Sequence, residues 1–226
     1  LMSGVTTLVD MSVAWDGWLE TFKASGLRGV LSPMYRSARW YTDNGHLAKY
    51  EWDEKAGEAA MAAAMKLLDQ VAADDSGRLS GMVSPSQIDT CTPELIQASY
   101  AEAERRKVPF QIHAAQSVVE FHEITRRHGM TPVEWLESLD VLGPFSIIGH
   151  GIFLDHHSSA KWPATDDLGC LVETGTNVAH CPIVFQRRGI AMQSFGQYVA
   201  AGVNVGIGTD TYPHHMLEEL RAVCIG

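Results

Sequence analysis

Cysteine is scarce in this chain. Only four of 226 residues are Cys (Cys91, Cys170, Cys181, Cys224), and no two form a C-x-x-C pair. That excludes a disulfide framework and suits reduced thiols in a cytoplasmic protein. Positive charge is also in deficit. Lys plus Arg number 17 against 27 Asp plus Glu, a net charge of −10. So acidic a chain is a poor partner for a phosphate backbone, and no nucleic acid is expected. Apolar runs stay far below the roughly 18 residues that a membrane span needs, so no membrane partner is expected either. Residues 1–14 place no Lys or Arg ahead of an apolar stretch, so no secretory leader pattern is seen. The segment Asp10-Met11-Ser12-Val13-Ala14-Trp15 contains no glycine where a dinucleotide-binding sheet would carry its phosphate turn. No serine sits in a G-x-S-x-G elbow, which leaves a serine hydrolase without support.

What is present is a globular composition. Hydrophobic residues make up 46% and charged residues 19%, enough for a sizeable core. Seven short apolar runs read as buried strands: Val5–Val9, Leu27–Leu31, Leu79–Val83, Phe110–His113, Ser146–His150, Asn177–His180 and Val203–Gly208. Helix patterns lie between them. Ala56–Val71 is rich in Ala, Met and Leu. Thr92-Pro93-Glu94 and Thr131-Pro132-Val133-Glu134 each place a capping residue before a proline, with an acid in the first turn. The first opens a helix to about Lys107 and the second one to about Leu139. Asp166–Thr174, Ser194–Ala201 and a segment from about His215 to Val223 complete the set. Ser37–Glu54 reads as a long irregular loop of the kind that shapes a pocket.

Strand–helix alternation predicts an α/β fold with a parallel sheet. A (β/α)8 TIM-type barrel takes about 250 residues, or about 31 per unit, so seven units need about 217. The expectation is a single domain over residues 1–226, a partial barrel lacking about one unit. An open doubly wound sheet is the other arrangement. The chain starts inside an apolar phrase (Leu1–Asp10) and stops after a helical pattern at Gly226, which reads as a piece of a longer protein.

The positions of His and Asp carry the chemistry. His113 closes Phe110–His113, His150 closes Ser146–His150, and His180 closes Asn177–His180. Asp210 follows Val205-Gly206-Ile207-Gly208-Thr209. All four fall at the C-terminal ends of predicted strands, the catalytic face of a barrel. Imidazole and carboxylate suit Zn²⁺ or Fe²⁺, and such a metal lowers the pKa of water toward 7. The bland alternative makes each His a satisfied polar cap. Other histidines fit surface roles better. His122 and His128 lie six apart, about 600° around a helix and so on opposite sides. His156-His157 and His214-His215 are adjacent pairs in loops, although His214 and His215 follow Asp210 closely enough to touch substrate. Trp15, Trp18 and Trp40 follow apolar runs and either line a pocket or pack.

Leu1–Asp10, Ile112–Ser117, Ile148–Asp155, Gly175–Pro182 and Gly202–Thr211 together resemble the amidohydrolase superfamily. The nearer match is its branch of metal-dependent deaminases and triazine chlorohydrolases. The resemblance covers nearly the whole chain. It implies a hydrolase acting on a C–N bond of a small nitrogen heterocycle, with one divalent metal (Zn, alternatively Fe). His113 and Asp210 are then metal ligands. Asp210 also accepts the proton of the metal-activated water, His150 stabilises developing charge, and Gln116, His150 and His180 contact substrate. The family's remaining ligands, a His-x-His pair on the first strand, are absent here, as is its accessory β-sandwich. The family also admits a homo-oligomer.

Three departures shift this picture. Without the His-x-His pair the chain holds too few ligands for a catalytic zinc site. Gln116 stands where deaminases carry Glu, and an amide cannot transfer protons. Ile183-Val184 follows His180-Cys181-Pro182, where Ser/Ala-Asn is usual. Chloride leaves without a proton and an amine does not, so Gln116 gives weight to hydrolytic dehalogenation of a triazine-like ring. A third reading is a metal-free, inactive fragment or a binding protein. No Lys lies near Met82–Pro85, which disfavours a carbamylated-lysine two-metal site.

Overall fold

Short, mostly apolar runs form the two main sheets of this protein. The computed structural model of the chain describes residues 5–163, 165–193, 195–212 and 214–225. The chain divides into two compact units, Val5–Ile112 and a second that takes in His113 onward.

The first unit holds β1 (Thr7–Asp10), α1 (Trp18–Ser25), β2 (Arg28–Leu31), β3 (Met34–Tyr35), β4 (Ala38–Tyr41), β5 (Lys49–Trp52), α2 (Glu54–Ala72), β6 (Leu79–Gly81), β7 (Ser84–Pro85) and α3 (Pro93–Arg106). Its main sheet is parallel in the order β1-β2-β6. Trp18, Leu19, Phe22, Leu31 and Val71 pack together against it. Gly29 is required there, because a Cβ would lie 2.2 Å from the Phe22 ring. Asp53 caps α2 by accepting from the Ala56 N–H, and Thr92 caps α3 by accepting from the Leu95 N–H. Lys107 ends α3 in the left-handed conformation, φ 55°. Helix α1 was not anticipated from sequence. Its N-cap is Gly17, which offers no side-chain bond, so the usual start signal is missing.

Residues 37–54 are not an irregular loop. β4 and β5 form an antiparallel hairpin with Ala38 opposite Trp52 and Trp40 opposite Tyr50. One face carries Trp40, Tyr50 and Trp52; the other carries the Arg39–Glu51 ion pair. No aliphatic alternation marks these strands, so the period-2 signal is weak. Trp18 is buried, with its Nε1–H donating to Asp10, whereas Trp15 and Trp40 are exposed.

The chain enters the second unit within β8 (Phe110–Ala114). It continues through α4 (Val118–His128), α5 (Pro132–Ser138), β9 (Ser146–His150), α6 (Asp167–Thr174), β10 (Asn177–His180), α7 (Pro182–Gln186), α8 (Phe195–Ala201), β11 (Val205–Ile207) and α9 (Met216–Ile225). The sheet order is β11-β10-β9-β8, with β9, β10 and β11 parallel. Thr131 and Glu134 form a capping box at α5. Phe121, Ile152, Phe153, Cys181, Val184 and Phe185 form a core cluster. Ser194, expected to open a helix, lies outside the described residues, as do Leu1–Gly4 of the expected first phrase.

The fold is α/β. A closed ring needs every strand paired on both sides. Among the described residues β1 and β11 each pair on one side only, so the sheets are open and strand pairing alone does not establish the expected partial barrel. The cysteines are free: Cys91 and Cys181 are buried, Cys170 is half-buried and Cys224 is exposed. Among the described residues no helix is long and apolar enough to cross a membrane.

Candidate metal-hydrolase site

The ends of β8–β11 carry the four residues singled out from sequence, and the structure brings three of them into measured proximity. The His113 and His150 rings lie 5.4 Å apart between centroids. His150 Nε2 is 4.0 Å from Asp210 Oδ2. Phe185 of α7 meets His150 edge-on at 4.5 Å. His150 and His180 are buried, and the Nδ1 atom of each has no hydrogen-bond partner. Gln116 lies in the turn after β8, half-buried.

The backbone here is held under strain. Ala115, His150 and Asp210 have φ of 54°, 126° and 55°. Such conformations cost about 1–3 kcal/mol each in a non-glycine residue and persist only where surroundings impose them. The surroundings are visible. Gly151 donates its N–H to Ala114 O, and Ile152 and Phe153 donate theirs to Ala115 O. Tyr198 donates its hydroxyl to Gly151 O at 2.8 Å. Buried Glu120 accepts from the Ala115 N–H at 2.6 Å and the Gln116 N–H at 3.3 Å. Asp167 accepts from the Asp155 N–H at 2.8 Å and from the Thr131 hydroxyl at 2.5 Å. Glu219 of α9 accepts from the Ile183 N–H at the start of α7.

Sequence reasoning missed Glu120, Asp167, Tyr198 and Glu219. Only Glu120 left a signal, since Ser117-x-x-Glu120 has capping-box spacing. Ser117 does cap α4, but the Glu120 carboxylate turns back to the β8 turn.

Burial governs the electrostatics. Desolvation pushes His150 well below the usual imidazole range, aided by His113, His180 and Arg188. It lowers His180 to about 4. It raises the Asp210 carboxyl, with His113 and Arg188 partly opposing. Asp167 is raised to about 7, its hydrogen bonds offsetting only part of its burial. The imidazoles are thus neutral near pH 7, and Asp210 is a better base than an exposed carboxylate.

The donor chemistry fits part of a hydrolytic metal site. His113 and Asp210 are of the right types, and each lies beside His150. Among the described residues, however, no group of three His, Cys, Asp or Glu could hold a metal ion. A catalytic zinc needs three protein ligands, so these residues do not complete a site alone.

The other histidines take local roles. His128 stacks on Trp135 at 3.7 Å, and His122 is exposed. His157 Nε2 bonds Ala191 O, and His156 pairs with Asp155. His215 accepts from the Glu218 N–H at the start of α9, and His214 bonds Thr209. A groove of about 600 Å³ between α2 and α3 is lined by Met61, Met65, Leu95, Glu54 and Glu58 among others, and none of the His/Asp set lines it.

A family model for amidohydrolases matches residues 1–224. The chain belongs to the amidohydrolase family. It is 28% identical over 227 residues to 5-methylthioadenosine/S-adenosylhomocysteine deaminase 2 of Archaeoglobus fulgidus, covering 100% of this chain and 49% of that protein. Its fold is similar to an adenosine deaminase from Xanthomonas campestris with bound zinc, at TM-score 0.77 and 18% identity, over 99% of this chain and 47% of that one. It is also similar to atrazine chlorohydrolase from Arthrobacter aurescens TC1 with zinc, at TM-score 0.73 and 20% identity, over 92% and 45%. The amidohydrolase chain therefore has an α/β fold of TIM-barrel type. It spans about half the length of the curated relatives it matches.

Proposed function

We propose that the protein to which this chain belongs is a metal-dependent hydrolase that deaminates a small nitrogen heterocycle, with adenine nucleosides the favoured ring. The observation that carries the reading is the convergence of His113, His150 and Asp210 at strand ends, at 5.4 and 4.0 Å. His113 and Asp210 would hold one divalent metal, zinc or alternatively iron, together with ligands from outside the described residues. When bound, that metal supplies a water acidic enough to react at neutral pH.

The chain's own residues do the rest. Asp210 accepts the water proton. Neutral His150 donates an N–H to the charge that develops as the ring carbon is attacked. Gln116 and His180 hydrogen-bond the ring. Gln116 cannot carry a proton, so Asp210 returns its proton to the leaving amine and ammonia departs. The same amide supports a second reading, hydrolytic release of chloride from a triazine-like ring, which needs no proton on the leaving group. The family fold supports closure of the strands into a barrel, residues 1–226 acting as one domain. Free thiols support a cytoplasmic setting, and a homo-oligomer belongs to the same reading.

The test is elemental analysis of the purified full-length protein, followed by ammonia and chloride release from purine nucleosides, pyrimidines, pterins and triazines. About one zinc or iron per chain with ammonia release supports the deaminase. Chloride release alone selects the second reading. No metal uptake and no turnover would make the protein an inactive relative.

A further inference from the structure

We infer that Tyr198 is a positioning residue whose hydroxyl fixes the aim of the His150 imidazole and, through it, the rate of turnover. The inference rests on the hydrolase reading above and adds a residue to that site.

Tyr198 is fully buried in α8, and its backbone carbonyl accepts the Gly202 N–H at 3.1 Å and the Val203 N–H at 3.0 Å. A buried hydroxyl costs free energy unless it is bonded, and a phenylalanine would fill nearly the same volume without that cost. Packing alone therefore does not call for tyrosine here. The hydroxyl donates to Gly151 O at 2.8 Å. Burial pushes the phenol up, so it stays protonated and donating at every working pH.

Gly151 follows His150 directly. Its N–H donates to Ala114 O at 3.2 Å and its carbonyl takes the Tyr198 hydroxyl, so both of its polar groups are tied. Gly151 lies at φ 59°, and a Cβ there would meet Val178 Cγ1 at 3.0 Å, so hydrogen bonds have to hold what a side chain cannot. His150 itself is kept at φ 126°, a conformation that a non-glycine residue adopts only under constraint. Release of the Gly151 carbonyl lets this backbone relax, and the imidazole turns with it.

A turn of that ring is costly where it sits. His113 lies on it at 5.4 Å and Phe185 at 4.5 Å between centroids, and its Nε2 is 4.0 Å from Asp210 Oδ2. In the proposed role His150 donates an N–H to charge that develops only in the transition state. A small misplacement then lowers kcat and leaves KM. Tyr35 provides the control. Its buried hydroxyl donates to Ser99 Oγ at 2.7 Å, in the first unit.

The experiment removes one oxygen from each tyrosine, Tyr198→Phe and Tyr35→Phe, in the full-length, metal-loaded protein. Ammonia release from 5′-deoxyadenosine is followed, or chloride release from atrazine if that is the reaction found. Urea unfolding checks that both variants are folded and matches their losses of stability. Tyr198→Phe is expected to lower kcat about tenfold with KM changed less than about twofold. Tyr35→Phe leaves both unchanged. Nuclear magnetic resonance of protein carrying isotope-labelled histidine gives a second readout. The signal that vanishes in His150→Gln shifts in Tyr198→Phe and stays in place in Tyr35→Phe. An unchanged kcat in Tyr198→Phe, equal kcat losses in the two variants, or an unmoved His150 signal overturns the inference while the hydrolase reading stands. Absence of ammonia and chloride from these probes and from the wider substrate set overturns both.

Discussion

The two parallel sheets end differently. At the ends of β1 and β2 every polar group named above has a use. Asp10 accepts from the Ser12 hydroxyl at 2.5 Å and from Trp18 Nε1–H at 2.8 Å, and Ser32 donates to Met82 O. At the ends of β9 and β10 the Nδ1 atoms of His150 and His180 are buried without a partner. Backbone strain follows the same division. Among the described residues the first unit has one non-glycine residue at positive φ, Lys107, and the second has six. The ends of β1 and β2 spend these polar groups on local bonds. The ends of β9 and β10 keep two imidazole nitrogens in reserve at a cost in stability.

The largest test of that contrast is catalytic. Asp210→Ala or His113→Ala in the full-length protein is expected to lower kcat by roughly a thousandfold or more and to lower bound metal, if Asp210 supplies both a ligand and the base. Near-normal turnover in Asp210→Ala would falsify the proposed role.

Next comes stability. Asp10→Ala removes two satisfied bonds and should cost about 2 kcal/mol in urea unfolding. His180→Leu removes a buried, unpartnered nitrogen and should cost less than about 0.5 kcal/mol or even stabilise. Equal losses in both variants would erase the distinction between the sheets.

A third effect is confined to the second unit. His180 is depressed to about 4 when folded, so its contribution is present above about 6.5 and is lost as pH falls toward 4. Asp167 is raised to about 7, so its contribution is present at low pH and is lost as pH rises from 4 to 7. The two oppose each other. Asp167→Asn should therefore fall off more steeply than the unaltered protein between pH 7 and 4, by about 2 kcal/mol across the interval. Parallel profiles would show that the buried carboxyl is not titrating there.

The smallest effect probes strain. Lys107 is at a helix end where glycine is favoured, so Lys107→Gly should gain about 0.5–1 kcal/mol. No gain in thermal unfolding would mean that the positive φ there carries no cost.

Much of the fold was legible because its signals are local. Each of the seven apolar runs overlaps a strand, and Thr92-Pro93 and Thr131-Pro132 open helices where expected. Helix α1 and the β4–β5 hairpin escaped because Gly17 gives no cap and an aromatic face does not look like a buried strand. In the candidate site, the proximity of His113, His150 and Asp210 was readable from their place at the ends of apolar runs. Their supports were not, because those contacts join distant positions. Thr131 meets Asp167 across 36 residues, and Glu219 reaches Ile183 across the same span. No spacing rule links such pairs before the chain has folded.

The cysteines have a use unrelated to chemistry at the site. Burial pushes the Cys91 and Cys181 thiols up to about 12, and Cys91 lies in the first unit and Cys181 in the second. A thiol in that state reacts with an alkylating reagent only during excursions that expose it. Cys224 is already exposed and is consumed first. Timed labelling read by peptide mass would then follow two separate clocks in one sample, each recording how often its own half of the molecule opens.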